Sequence, residues 1–299
     1  MANGRLWMIL AATETGVRDV ETGRVALEGR DVTHLVSTPG GLWAIVDRRD
    51  VLHAAAPDAW RPVASIGEHQ LRCVLPRADG TLFVGTAGAH VLRGAGGDFS
   101  VLRSFDTVPG RRGWKNPAAP KPDVWSLASA AESVLVGVHV GGVWRSDDDG
   151  ETWQASLEPE TDVHQVAASG SVAVAAAARG FGWSRDAGRS WSWTTEGLHA
   201  SYLQAVALTG DAVFVGASSG PFSHDAAVYR AESLGTPFRR CADGVPEWFE
   251  TNVHPHRLAA ADDRVAVAVE EAVYVSQDGG RTWKVAATGL PAVRAVAVT

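Results

Sequence analysis

Long hydrophobic runs are missing from this 299-residue chain, and cysteine is nearly so, with only Cys73 and Cys241. Two thiols so far apart offer neither a disulfide framework nor the paired spacing of a zinc knuckle, so buried, reduced side chains are expected. The N-terminal apolar run Leu6-Trp7-Met8-Ile9-Leu10-Ala11-Ala12 follows a single basic residue, Arg5. It is too short to cross a bilayer, and no cleavage pattern follows it, so it reads as a strand and the protein as cytoplasmic. Positive charge is also in short supply. A formal net charge of -7 argues against general binding to nucleic acid or to an anionic membrane. The familiar motifs of small-molecule chemistry are absent as well. There is no Gly-x-Ser-x-Gly nucleophile elbow. Gly94-Ala95-Gly96-Gly97 precedes no helix, and Asp147-Asp148-Asp149-Gly150 lacks the distal Glu of a calcium loop. No cofactor is expected.

What is present is enough apolar sequence for a large core, 45% hydrophobic against 20% charged. The aromatic balance is unusual, with twelve Trp but only three Tyr and eight Phe. Part of that excess belongs to one pattern, Ser-x-Asp-x-Gly-x-Thr/Ser-Trp, which occurs at Ser146–Trp153, Ser184–Trp191 and Ser276–Trp283. The pattern describes a self-locking turn. Gly takes a positive-φ corner, the Asp carboxylate accepts backbone N–H groups, and the Trp leaves along the next strand.

A second signal recurs at longer range: apolar-x-x-apolar, a turn, then an apolar strand. It begins at Val32-Thr33-His34-Leu35, Leu71-Arg72-Cys73-Val74, Val124-Trp125-Ser126-Leu127, Val163-His164-Gln165-Val166, Leu203-Gln204-Ala205-Val206, Pro255-His256-Arg257-Leu258 and Val293-Arg294-Ala295-Val296. The copies lie about 40 residues apart, the length of four short strands, with two longer intervals. The last copy ends the chain, and its partner strand is the N-terminal Leu6–Leu10. The turn pattern resembles the Asp-box (BNR) repeat of sialidase-like β-propellers. Repeat and resemblance together imply an all-β fold: one domain over residues 1–299, a seven-bladed β-propeller whose last blade is closed by N- and C-terminal strands. Decayed turns retain an aromatic at Trp60, Phe99 and Phe238, which fills the same space.

The resemblance implies that the links between blades, and the turns between second and third strands, open on one face, with the Asp-box turns on the other. The polar second residue of each copy then rings the central funnel: Thr33, Arg72, Trp125, His164, Gln204, His256 and Arg294. Strand alternation aims His34, Gln165 and Arg257 between blades. The second-to-third turns add Glu14, Arg48, His139, Arg179 and Glu270. The longer intervals carry insertions, one from Thr107 to Pro122 with an exposed-looking Trp114, the other including Pro246-Glu247-Trp248-Phe249-Glu250. Loops bearing Trp and charge on a rigid scaffold are where binding usually sits.

The ring is cationic to aromatic, and Arg forks grip carboxylate or phosphate at two points. The expectation is a binding propeller that takes a small anionic or carbohydrate-like ligand, or a protein segment. Its expected binding residues are Arg72, Trp125, His164, Gln204, His256, Arg294, Tyr202 and Trp114. Two alternatives stand beside it. A sialidase-like glycoside hydrolase or lyase would use Arg72 and Arg294 as a clamp, Tyr202 as nucleophile, and carboxylates from Glu14, Glu250 and Glu270. However, the Phe/Tyr-Arg-Ile-Pro motif of that family is absent, and no Glu is placed beside Tyr202. A funnel metal site would draw on His34, His164, His254 and His256.

Overall fold

The structure is a computed structural model that describes residues 8–299 except Ala118. It contains seven four-stranded antiparallel sheets and almost no helix. Each sheet follows chain order outwards from its innermost strand. The innermost strands are Val32–Thr38 in blade one, Leu71–Pro76 in blade two, Val124–Ala130 in blade three and Val163–Ser169 in blade four. Blades five, six and seven begin with Tyr202–Thr209, Leu258–Ala261 and Val293–Val298. In blade seven the innermost strand pairs with Ile9–Thr13, Leu10 facing Ala297, and Gly16–Asp19 and Val25–Ala26 complete the sheet. The seventh blade is therefore shut by both ends of the described chain. Its N-terminal strand starts and ends later than the expected Leu6–Leu10, and Leu6 and Trp7 lie outside the described residues.

Second strands such as Ser133–Val138 and Arg264–Val269 read as nearly unbroken apolar runs because both faces are covered by neighbouring blades. Outermost strands shrink to two residues at Val25–Ala26 and Arg239–Arg240, leaving little free edge for unwanted pairing. Seven buried clusters fill seven blade-to-blade seams. One joins blades six and seven through Val273, Val275, Val293 and Ile9, and another joins seven to one through Leu10, Ala297, Leu35 and Ala44. Seven seams for seven sheets close the ring.

The three Ser-x-Asp-x-Gly turns fold alike. In blade six, Ser276 Oγ donates to Asp278 Oδ1 at 2.8 Å and accepts from Gly280 N–H at 2.8 Å. Thr282 N–H and Oγ1–H donate to the same carboxylate at 2.9 and 2.6 Å. Blades three and four repeat the set around Asp148 and Asp186. The second glycine of the blade-six turn, Gly280, has φ +80°, and a Cβ there would lie 2.3 Å from the Phe214 ring of blade five. The turn is thus docked onto the neighbouring blade, and only glycine allows the approach.

Candidate functional site

The residues expected at the funnel mouth reach it by a shared backbone device. In six blades the innermost strand carries a bulge, and the residues left out of the pairing are Thr33, Arg72, Trp125, His164, Gln204 and Arg294. A bulge inserts one unpaired residue and re-aims its side chain. Repeated around the ring, it takes six polar or aromatic residues out of the pairing at equivalent positions.

Blade six departs from this. Its innermost strand begins only at Leu258, and His256 takes a left-handed φ of 64°. That turn inverts the sequence expectation for two residues. Arg257 lines the mouth rather than a blade seam, and His256 enters the central channel below it. There, His256 Nε2–H donates to Trp125 O at 2.8 Å, its N–H donates to Gln165 Oε1 at 3.1 Å, and its ring meets His34 edge-on at 4.5 Å. Burial pushes the pKa values of both histidines down, so both rings are neutral. His256 is a cross-brace between blades one, three, four and six, not a mouth residue. The channel is a cavity of about 390 Å³ lined by His34, Gln165 and His256 together with Leu35, Val74, Leu127 and their equivalents in the other blades. It is larger than the mouth pocket.

The mouth itself divides in two. One half, from blades six, seven, one and two, is a pocket of about 170 Å³ walled by Thr33, Arg48, Arg72, His254, Arg257 and Arg294. Arg72 is paired with the buried Asp123 at 2.9 Å, and Arg294 with Glu14 at 3.4 Å and Asp31 at 3.6 Å. Among the described residues, nothing acidic pairs with the Arg257 guanidinium. Burial, and then the neighbouring Arg294, push its pKa down to about 10. An unpaired, half-buried cation beside a second cation favours an incoming anion.

The other half, from blades three, four and five, is aromatic. Trp125 stacks on His139 at 4.0 Å, and His164 lies 4.8 Å from the Tyr202 ring. Gln204 donates to Tyr202 Oη at 3.2 Å and accepts from His254 Nδ1–H at 2.8 Å. Burial pushes His254 down to about 4 and raises Tyr202. His164 is fully buried, its Nδ1–H donating to Leu203 O at 2.6 Å. Arg72 and Arg294 therefore belong to one half, and Trp125, His164, Gln204 and Tyr202 to the other.

Trp114 belongs to neither. It is 5% exposed and packs on Phe105 and Trp144, with Arg111 over its ring. The described residues around it cover blades two and three, so Trp114 anchors the loop and does not offer itself to a ligand. In the second insertion Phe249 is buried, while Trp248 stays 39% exposed between His199 and Arg240. Glu14 is taken up by Arg294, Glu250 lies beside His224, and Glu270 accepts the Glu250 N–H. None of these carboxylates lines the arginine pocket. The four histidines of the funnel metal expectation are also dispersed. His34 and His256 meet in the channel, and His254 is bound to Gln204. Sequence reasoning missed Asp162, which sits in the link between blades three and four, 3.3 Å from His139 and 3.4 Å from His164.

No protein-family model and no curated protein matches the chain. Solved structures do. A GH74 enzyme of Niastella koreensis superposes with TM-score 0.61 at 15% identity, covering 85% of this chain and 45% of its own length. The chain thus spans less than half of that enzyme. YCF48 from Cyanidioschyzon merolae gives 0.56 at 15% identity, covering 87% and 88%. A YCF48 structure bound to D1 peptide gives 0.52 at 17%, covering 93% and 85%. At such identities the likeness is one of fold, and these neighbours have different roles.

Proposed function

We propose that this chain is a binding propeller of the Asp-box kind. Its mouth would receive an anionic group, a carboxylate or phosphate, carried by a small molecule or by an acidic protein segment. The observation that carries the reading is Arg257, a guanidinium without an acidic partner among the described residues, which shares one pocket with Arg48, Arg72 and Arg294. Planar guanidinium groups on a rigid scaffold suit two-point recognition of such anions. The neighbour solved with a bound peptide supports the protein-segment form of the ligand. The Trp125–Tyr202 half would then meet the uncharged part of whatever the arginines hold. A glycoside hydrolase finds less support, because among the described residues no carboxylate lines the pocket, and those beside it are held by Arg72 and Arg294.

Calorimetric titration with phosphate, small dicarboxylates, sugar acids and acidic peptides tests this reading. At least one class should bind more tightly than about 1 mM, and Arg257→Met or Arg294→Gln should weaken it about tenfold or more. Binding that neither substitution changes would put the ligand elsewhere.

A further inference from the structure

We infer that His139, Asp162 and His164 form a site for a divalent transition-metal ion, Zn²⁺ foremost, at the edge of the aromatic half of the mouth. The three residues come from three separate segments. His139 lies in the turn between the second and third strands of blade three, Asp162 in the link to blade four, and His164 in the bulge of blade four's innermost strand. Their ligand atoms all lie within 4.8 Å of one another. Asp162 Oδ1 is 3.3 Å from His139 Nε2 and 3.4 Å from His164 Nε2. A tetrahedron with metal–ligand bonds of about 2.0–2.1 Å has edges of about 3.3–3.4 Å. The carboxylate therefore already stands at coordination spacing from both imidazoles.

The hydrogen bonding points the same way. His164 donates Nδ1–H to Leu203 O, which leaves its Nε2 as the lone-pair nitrogen of a neutral ring. That nitrogen is buried and has no hydrogen-bond partner, and neither has Asp162 Oδ1, the atom it faces. Two acceptors thus face each other with no proton between them. A cation satisfies both at once. A backbone carbonyl that fixes the tautomer of a ligating His is the usual outer partner of such a site. The His139 ring is fixed instead by its stacking on Trp125. An entry path exists, because Asp162 also borders an open cleft with Glu158, Glu160 and Arg179. Two imidazoles and one carboxylate are borderline donors suited to Zn²⁺, and three protein ligands leave a fourth position for water or for a ligand atom.

The test is Zn²⁺ titration of the chelator-stripped 299-residue chain by calorimetry, with Co²⁺ absorption as the probe of coordination. The expected result is one equivalent of Zn²⁺ with a Kd below about 1 μM and a four-coordinate cobalt spectrum. Asp162→Asn, which keeps the shape of a partly exposed side chain, should weaken Zn²⁺ by about 100-fold and abolish the cobalt spectrum, as should His164→Gln. His69→Gln, outside the site, should change neither. Zn²⁺ binding weaker than about 100 μM in the stripped parent would overturn the inference. So would uptake or a spectrum that Asp162→Asn leaves unchanged. Should His164→Gln fail to fold, Asp162→Asn decides the question alone.

Discussion

Replacing Arg257 by methionine should make the protein more stable while removing its response to anions. The fall from the ordinary guanidinium value of 12.5 to about 10 corresponds to a penalty of about 3 kcal/mol for holding the charge in the folded pocket. Methionine keeps much of the apolar stem, and lost packing costs about 1 kcal/mol. The net expectation is a gain of about 1–2 kcal/mol, or about 2–3 °C in Tm for a chain of this length. The pH dependence has a definite sign. A base whose folded pKa lies below its unfolded value destabilises the fold fully below the folded value, and the effect fades as pH rises from about 10 towards 12.5. The advantage of the variant should therefore be complete at pH 7 and shrink above pH 10. Sulfate at about 50 mM and a Kd of about 1 mM would add about 2 kcal/mol to the parent and little to the variant. Chloride at matched ionic strength separates binding from screening. Thermal denaturation of both proteins, with and without sulfate, reads all of this. A variant that is less stable than the parent, with sulfate raising both equally, would refute the reasoning.

Three further outcomes follow from the packing. Gly280→Ala should destabilise by about 2–4 kcal/mol, combining a left-handed φ with the clash on Phe214. Gly279→Ala, whose added methyl meets nothing closer than 3.4 Å, should cost about 1 kcal/mol; equal losses in denaturant titration would show that the turn is not docked on blade five. Trp114→Ala should cost about 3–5 kcal/mol in the same assay and leave anion affinity within about twofold, since the ring is core. The hydrogen bonds to Asp278, Thr282 first, hold its carboxyl down to about 2, against 3.8 ordinarily. Asp278→Asn should therefore lose about 1 kcal/mol at neutral pH, discounted for exposure, and the difference should vanish in acid titrations as pH falls from about 4 to about 2.

The ring was legible because its signals are local and repeated. Seven apolar-x-x-apolar strands and three locking turns need no knowledge of distant contacts, and the pairing of Leu10 with Ala297 follows from the count. Arg72 and Arg294 were legible for the same reason, since each occupies the bulge of its strand. His256 and Arg257 were not. A left-handed φ at a non-glycine residue carries no sequence mark, and it exchanges the directions of the two side chains. Trp114 reads as exposed beside Pro and Arg, yet Phe105 from the preceding turn of helix and Trp144 from a later strand of blade three cover it. The His139–Asp162–His164 cluster joins a turn, a link and a strand from two blades, so no single segment shows its spacing.

The most direct test of the central claim, that the arginine half of the mouth holds an anion, is a crystal structure of the protein grown or soaked with phosphate or a small dicarboxylate. The account expects the anion within hydrogen-bond reach of the Arg257 guanidinium and of Arg72 or Arg294. A pocket holding only water, with Arg257 turned away onto an acidic side chain, would contradict it.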